Sequence, residues 1–308
     1  MGWPDISALV GTQAYFVFDQ ADLGVRPRFN RIQDEWQRIY RLSVQYTAVS
    51  TEFQLNEQIA ASLDDRLPVC LPLDIFWLPY TPHYQRLKQI HFVNIFGYDR
   101  GKYYIVCPYY RYMGWLDAAH IHTAFFASSS GLSRNIISIP YQEAVALSEE
   151  QVYRLVQESC QNMLGLTIPE ALAEMDPQHL GLVGISTFAS CLQEALSPQR
   201  LPMLTGELLD LSRHLMSIGN SRYWFYKLIE PYNQSLFYLN GMPNPQEQFE
   251  TVTRSWRGIG RMLGTIVHTG KSEKAAWISR CVKEISADES KLFSNLLGAL
   301  PGYEAGYL

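Results

Sequence analysis

Apolar and aromatic residues at Ile32, Trp36, Ile39 and Tyr40 recur at helical spacing behind a candidate N-cap, Asn30, so the pattern predicts an amphipathic helix over 30–41. Alternation takes over at 43–49, as a strand requires. Helical spacing returns over 52–65, and Leu-Pro-Val-Cys-Leu-Pro-Leu at 67–73 reads as an apolar strand, although Pro68 and Pro72 each lack a ladder donor. The β-branched and aromatic stretches 90–96 and 102–106 flank Gly97-Tyr-Asp-Arg-Gly101 and predict a β-hairpin with its loop at 97–101. Residues 116–126 read as a helix, 128–131 as a loop and 134–140 as a last strand.

Beyond Leu147 the period changes for good. Ser148-Glu-Glu-Gln opens a helix with acidic residues in its first turn, and long helical patterns follow over 178–196, 203–218, 223–238, 245–268 and 272–297. Asn220, the stretch 241–245 and Gly270 punctuate them, and no repeat of fixed period is present. The expected organisation is therefore a mixed α/β domain over 1–147 and a helical bundle over 148–308. A chain of 308 residues exceeds the size at which one core usually stops growing, which agrees with two domains.

A net charge of −5 without a run of Lys or Arg removes nucleic acid from the expected partners. Arg26, Arg28, Arg31, Arg38 and Arg41 are dense enough to meet an acidic protein locally, though a solvated helix face is the simpler account of them. The N-terminal residues lack a basic stretch followed by an apolar core, and no apolar run is long enough to span a bilayer. A cytoplasmic protein without membrane partners is expected. The five cysteines include no C-x-x-C pair, so zinc ribbons and disulfide scaffolds are not expected.

Candidate chemistry gathers between 74 and 107. His91 stands at the start of an apolar strand, and Cys107 ends the partner strand, where a hairpin register brings it toward His91; the alternative readings are a structural histidine and a small buried cysteine. The loop from Asp74 through Tyr80 to Tyr84 is crowded with aromatics and prolines, and serves either as a substrate wall or as a flap over the core. His120 and His122 near Asp117 do not form a metal site, because residues two apart on a helix face different ways. There is no P-loop, no G-x-G-x-x-G opening a helix, no G-x-S-x-G elbow and no H-E-x-x-H. Gly258-Ile-Gly260, inside a helical pattern, reads as a close helix contact.

The stretch from Asp74 to Tyr84, then His91-Phe-Val-Asn-Ile-Phe-Gly-Tyr-Asp99, Tyr104-Ile-Val-Cys-Pro108 and Gly114-Trp-Leu116, resembles the central block of the butirosin biosynthesis protein H N-terminal family. Residues 5–18 resemble a segment nearer that family's start, and the helical half is similar to the domain that commonly accompanies it. The resemblance implies an α+β architecture: a papain-like, cysteine-proteinase-type N-terminal domain followed by an all-helical C-terminal domain. It implies acyl transfer from a carrier-protein thioester to a small-molecule amine, with an acyl or peptidyl carrier protein as partner and no cofactor. In that chemistry a cysteine thiolate attacks, a histidine activates it and a carboxylate orients the histidine.

By position His91 matches the family histidine, Cys107 fills a slot usually held by aspartate, and Asp74, Tyr80 and Tyr84 fall on the expected substrate wall. The family nucleophile belongs on a helix upstream of the segment matched by 5–18, and the sequence as given starts beyond it. Either the reading frame extends upstream of Met1, or covalent catalysis has been lost. The expectations are thus an amide-forming acyltransferase, a non-catalytic scaffold that binds the carrier or product, or a cysteine-type hydrolase.

Overall fold

Along 90–107 the side chains alternate between core and surface, and that period of two builds the sheet that carries His91 and Cys107. The computed structural model describes residues 14–28 apart from 22, residues 34 and 37–39, 43–127 apart from 108, 134–138, 147–233, 244–271 and 274–300. The strands are β1 Val17–Asp19, β2 Gly24–Arg26, β3 Gln45–Ala48, β4 Val69–Asp74, β5 Ile90–Asp99, β6 Lys102–Cys107, β7 Tyr112–Asp117 and β8 Asn135–Ser138. The helices are α1 Glu52–Asp64, α2 Ala118–Phe126, α3 Glu149–Met163, α4 Gly181–Ala195, α5 Thr205–Ile229, α6 Gln246–Thr269 and α7 Ala275–Gly298, joined in places by single 3₁₀ turns. Residues 34 and 37–39 are helical, and the rest of the helix expected over 30–41 lies outside the described residues, as does the loop expected at 128–131.

The chain separates into two compact units, the described residues of 36–144 and those of 1–35 taken with 145–308. In the first unit a wholly antiparallel sheet has the order β3-β8-β4-β5-β6-β7. Val69, Leu71 and Leu73 on β4, Val93 and Ile95 on β5, and Tyr103, Ile105 and Cys107 on β6 face one core with Leu55 and Ile59 of α1 and Ile121 and Phe125 of α2. Phe92, Phe96, Met113 and Trp115 point to the opposite, exposed face. Pro72 is tolerated because β4 meets β8 only at Cys70↔Ile137, which leaves Pro72 beyond the end of that pairing.

Two expectations about this unit are corrected. The hairpin loop is not 97–101: β5 runs on to Asp99 through a bulge between Ile95 and Gly97, and the turn is Arg100-Gly101 alone. Both turn residues have positive φ, 46° and 77°, as a two-residue type I′ turn demands, and glycine accepts that conformation without steric cost. Residues 112–117 form strand β7, so the helix expected from 116 starts at Ala118.

The second unit is a helical bundle with a β1–β2 hairpin laid into it. Ser148 caps α3 by accepting from the Gln151 backbone while the Gln151 side chain accepts from the Ser148 backbone, the reciprocal box the sequence announces. Asn220 does not break a helix, as was expected; α5 runs unbroken from Thr205 to Ile229, and Asn220 Oδ1 instead accepts from Arg257 Nε at 2.9 Å. Close approach of α5 and α6 requires glycine at two points. A Cβ on Gly219 would lie 2.8 Å from Thr253 O, and one on Gly260 would lie 2.7 Å from Ser212 O. Gly258 meets nothing within 4 Å, so only one glycine of the Gly258-Ile-Gly260 motif makes the contact.

Arg222 and Glu289 are both fully buried at the centre of this bundle. Arg222 donates to both Glu289 oxygens, Nε to Oε1 at 2.8 Å and Nη2 to Oε2 at 3.0 Å, and Nη1 donates to Tyr15 O at 2.9 Å. Trp256 Nε1 donates to Glu289 Oε1 at 2.8 Å. Burial of two charges is tolerable only when their hydrogen bonds are satisfied, and this geometry supplies them. Phe16 stacks on Trp256 with ring centres 5.8 Å apart, and Phe18 meets Phe188 edge-on at 5.4 Å. The described residues before 36 therefore pack with the helices, whereas the expected division at 147 put them with the sheet. No helix among the described residues is long and apolar enough to cross a membrane.

Candidate functional site

Strand parity brings His91 and Cys107 together. Asn94 faces Val106 across β5 and β6, so one step further along Val93 faces Cys107, and His91 lies two residues before Val93 on the same face. Diagonal neighbours on one face are about 7–8 Å apart, within reach of an imidazole. His91 Nε2 comes to 3.1 Å from Cys107 Sγ. Cys107 is buried and His91 half-buried, with Tyr110 edge-on to the imidazole at 5.0 Å and Tyr109 tilted against it at 5.4 Å.

Burial sets the electrostatics here. It lowers the His91 pKa below the ordinary value, since among the described residues no carboxylate pairs with the ring to offset the lost solvation. Burial also raises the pKa of Tyr80, with Cys107 as the next cause, and raises those of Tyr110 and Tyr112. The phenols are consequently neutral hydrogen-bond donors at ordinary pH. Tyr80 stacks on Tyr112 with ring centres 4.2 Å apart and an interplanar angle of 12°, and its buried hydroxyl faces the Cys107 thiol.

The loop between β4 and β5 is held by its own backbone. Asp74 is buried, and its Oδ1 accepts from Phe76 N and from Gln89 N, each at 3.1 Å, which ties the two ends of the loop together. Gln85 N donates to Phe76 O at 2.9 Å, and Thr81 Oγ1 donates to Leu78 O at 3.1 Å. Asp74 thus positions the wall from which Tyr80 projects. Tyr84 lies elsewhere on the loop: its hydroxyl accepts from Gln85 Nε2 at 3.3 Å, and its ring is edge-on to His120 at 6.5 Å. Of the five residues singled out, the structure brings together His91, Cys107 and Tyr80, uses Asp74 to close the loop and leaves Tyr84 with His120.

Tyr109, Tyr110 and Tyr112 complete the wall, and sequence reasoning passed over them. Their signal was available as a tyrosine-rich run directly after the Cys107-Pro108 pair. His122 belongs to a separate network: Nδ1 lies 3.2 Å from Glu52 Oε2, Nε2 lies 2.8 Å from Asn56 Oδ1, and the Tyr103 hydroxyl donates to the same Asn56 oxygen. Among the described residues no group of His, Cys, Asp and Glu could hold a metal.

The remaining thiols are poor nucleophiles. Burial pushes Cys70 up to about 12 and raises Cys160, and burial followed by a neighbouring glutamate raises Cys191 and Cys281. What the site can do chemically is hold a base that burial keeps in its uncharged form, His91, beside a thiol and several phenolic donors.

The family model described as butirosin biosynthesis protein H, N-terminal, matches residues 13–108. That stretch takes in His91, Cys107 and the whole β4–β5 loop, and it begins in the segment that packs with the helices. No curated protein matches the chain.

Proposed function

We propose, on the premise that residues 13–108 are a butirosin biosynthesis protein H N-terminal region, that this protein serves antibiotic or related natural-product biosynthesis by transferring an acyl group from a carrier-protein thioester to an amine. The sheet unit is then the papain-like half. The observation that carries the reading is the 3.1 Å contact of His91 Nε2 with Cys107 Sγ beside the tyrosine wall.

A thioester is already activated, so an amine positioned against its carbonyl can attack directly. His91, kept neutral by burial, accepts the amine proton as the C–N bond forms. The Tyr80 hydroxyl, buried beside Cys107, is the donor for the oxyanion, and collapse of the tetrahedral species breaks the C–S bond and expels the carrier thiolate, which takes the proton back from His91. Holding the two reactants together supplies several kcal/mol of the barrier.

A second reading, binding of the carrier or product without turnover, is favoured by the same contact: the side chain beside the imidazole is the Cys107 thiol and not a carboxylate, and a thiol stabilises an imidazolium poorly. Incubating the full chain with carrier-bound thioesters and an amine separates the two. Acyl transfer predicts amide product that is lost in His91→Ala, with no adduct on any cysteine in the intact mass. Carrier binding without product supports the second reading. An acyl adduct on Cys107 would replace both with covalent catalysis by a relocated nucleophile.

A further inference from the structure

The helical unit contains a cavity of about 410 Å³ between α5 and α6 that plays no part in the chemistry above. Its lining carries Lys227, Arg254, Arg257 and Arg261 against a single carboxylate, Glu250, which accepts from Gln246 Nε2 at 2.9 Å. Arg254 and Arg261 have no ion-pair partner among the described residues. Lys227 pairs with Glu230 at 2.7 Å, and Arg257 is oriented by Asn220 through its Nε, which leaves its terminal nitrogens available. Both of these side chains also lie over the Tyr223 ring, with the Lys227 and Arg257 charges 5.9 Å and 5.6 Å from its centre.

A cluster of like charges on one helix is destabilising by itself. Residues 254, 257 and 261 fall at i, i+3 and i+7, so they share a face, and the outer two are about 10 Å apart along the axis. A second observation at the same place points to a ligand. Thr253, only 5% exposed, lines this cavity, and its Oγ1 has no hydrogen-bond partner among the described residues. Such a hydroxyl is costly unless something fills the cavity and bonds to it.

We infer that this cavity binds a small molecule carrying two linked phosphoryl groups. Guanidinium forks match phosphoryl oxygens in pairs, the Arg254-to-Arg261 span suits two charged groups better than one, and a phosphoryl oxygen can accept from the Thr253 hydroxyl. The volume is that of an ordinary small-molecule site. The inference is independent of the acyl-transfer reading, because none of these residues lies in the sheet unit.

Inorganic pyrophosphate is the probe, titrated into the full chain by calorimetry and followed by thermal unfolding at constant ionic strength, with succinate as the dicarboxylate control. Pyrophosphate is expected to bind at millimolar concentration or below and to raise the melting temperature, while succinate does neither. Arg254→Ala combined with Arg261→Ala should weaken binding about tenfold or more, as the loss of one charge-assisted hydrogen bond would. Thr253→Val should weaken binding severalfold while leaving the melting temperature of the unliganded protein unchanged or higher. Equal binding of succinate overturns the phosphoryl assignment. Absence of pyrophosphate binding, or a Thr253→Val protein that binds as well as the original, overturns the site.

Discussion

His91 Nε2 and Cys107 Sγ sit 3.1 Å apart on the core side of neighbouring strands, so the imidazole meets a thiol and, among the described residues, no carboxylate charge. Burial without that charge depresses the folded-state pKa of His91 below its ordinary 6.5. As pH falls, the unfolded chain then binds the proton first, so stability is lost from about 6.5 down to the folded value and is flat below it. Cys107→Asp supplies the missing charge and is expected to reverse the sign, raising the His91 pKa above 6.5 and making the protein gain stability on acidification. Ring-proton NMR titration of both forms, with urea unfolding at about pH 5 to 8, reads the two effects; an unchanged His91 pKa in Cys107→Asp would count against the geometry.

The two glycines of the Gly258-Ile-Gly260 motif are expected to respond in opposite directions. Gly260→Ala forces a Cβ to within 2.7 Å of the Ser212 carbonyl oxygen and should cost about 1–3 kcal/mol. Gly258→Ala meets nothing within 4 Å in the middle of α6 and should gain about 0.5–1 kcal/mol. Denaturant midpoints of the two variants decide this, and a shared direction would contradict the packing of α5 on α6.

Removing half of the buried Arg222–Glu289 pair should be severe. Glu289→Ala strands the guanidinium and the Trp256 indole N–H in a dry core, and about 3–5 kcal/mol of stability is expected to go with it. Replacing both partners together, Arg222→Met with Glu289→Leu, removes the stranded charge and should cost less than Glu289→Ala alone. Equilibrium unfolding of the three proteins checks the order; a double variant as unstable as the single would show that the Tyr15 and Trp256 bonds carry the network instead.

The contact of His91 with Cys107 was legible in the chain because strand parity is a local property: alternation at 90–107 tells which side chains share a face, and hairpin pairing does the rest. Strand β7 was not, because Tyr112, Gly114 and Leu116 run without a turn signal into the apolar residues of α2, and a period of two blends there into a period of 3.6. Asn220 looked like a stop. It lies within α5 because packing on α6 and the bond to Arg257 outweigh its weak helix preference. The partners of His122 were out of reach as well, since Glu52 and Asn56 come from a helix that only the tertiary fold brings alongside.

The bundle's aromatic seam closes with residues from opposite ends of the chain, and synthesis must deal with that order. The sheet unit emerges whole between the two parts of its companion, so it has every residue it needs early. Phe16 and Phe18 do not: their partners Phe188 and Trp256 follow far downstream, with Trp256 240 positions after Phe16. At about 5–20 residues per second the delay is on the order of tens of seconds. Throughout that interval the nascent chain carries an apolar segment whose burial partners have yet to be made.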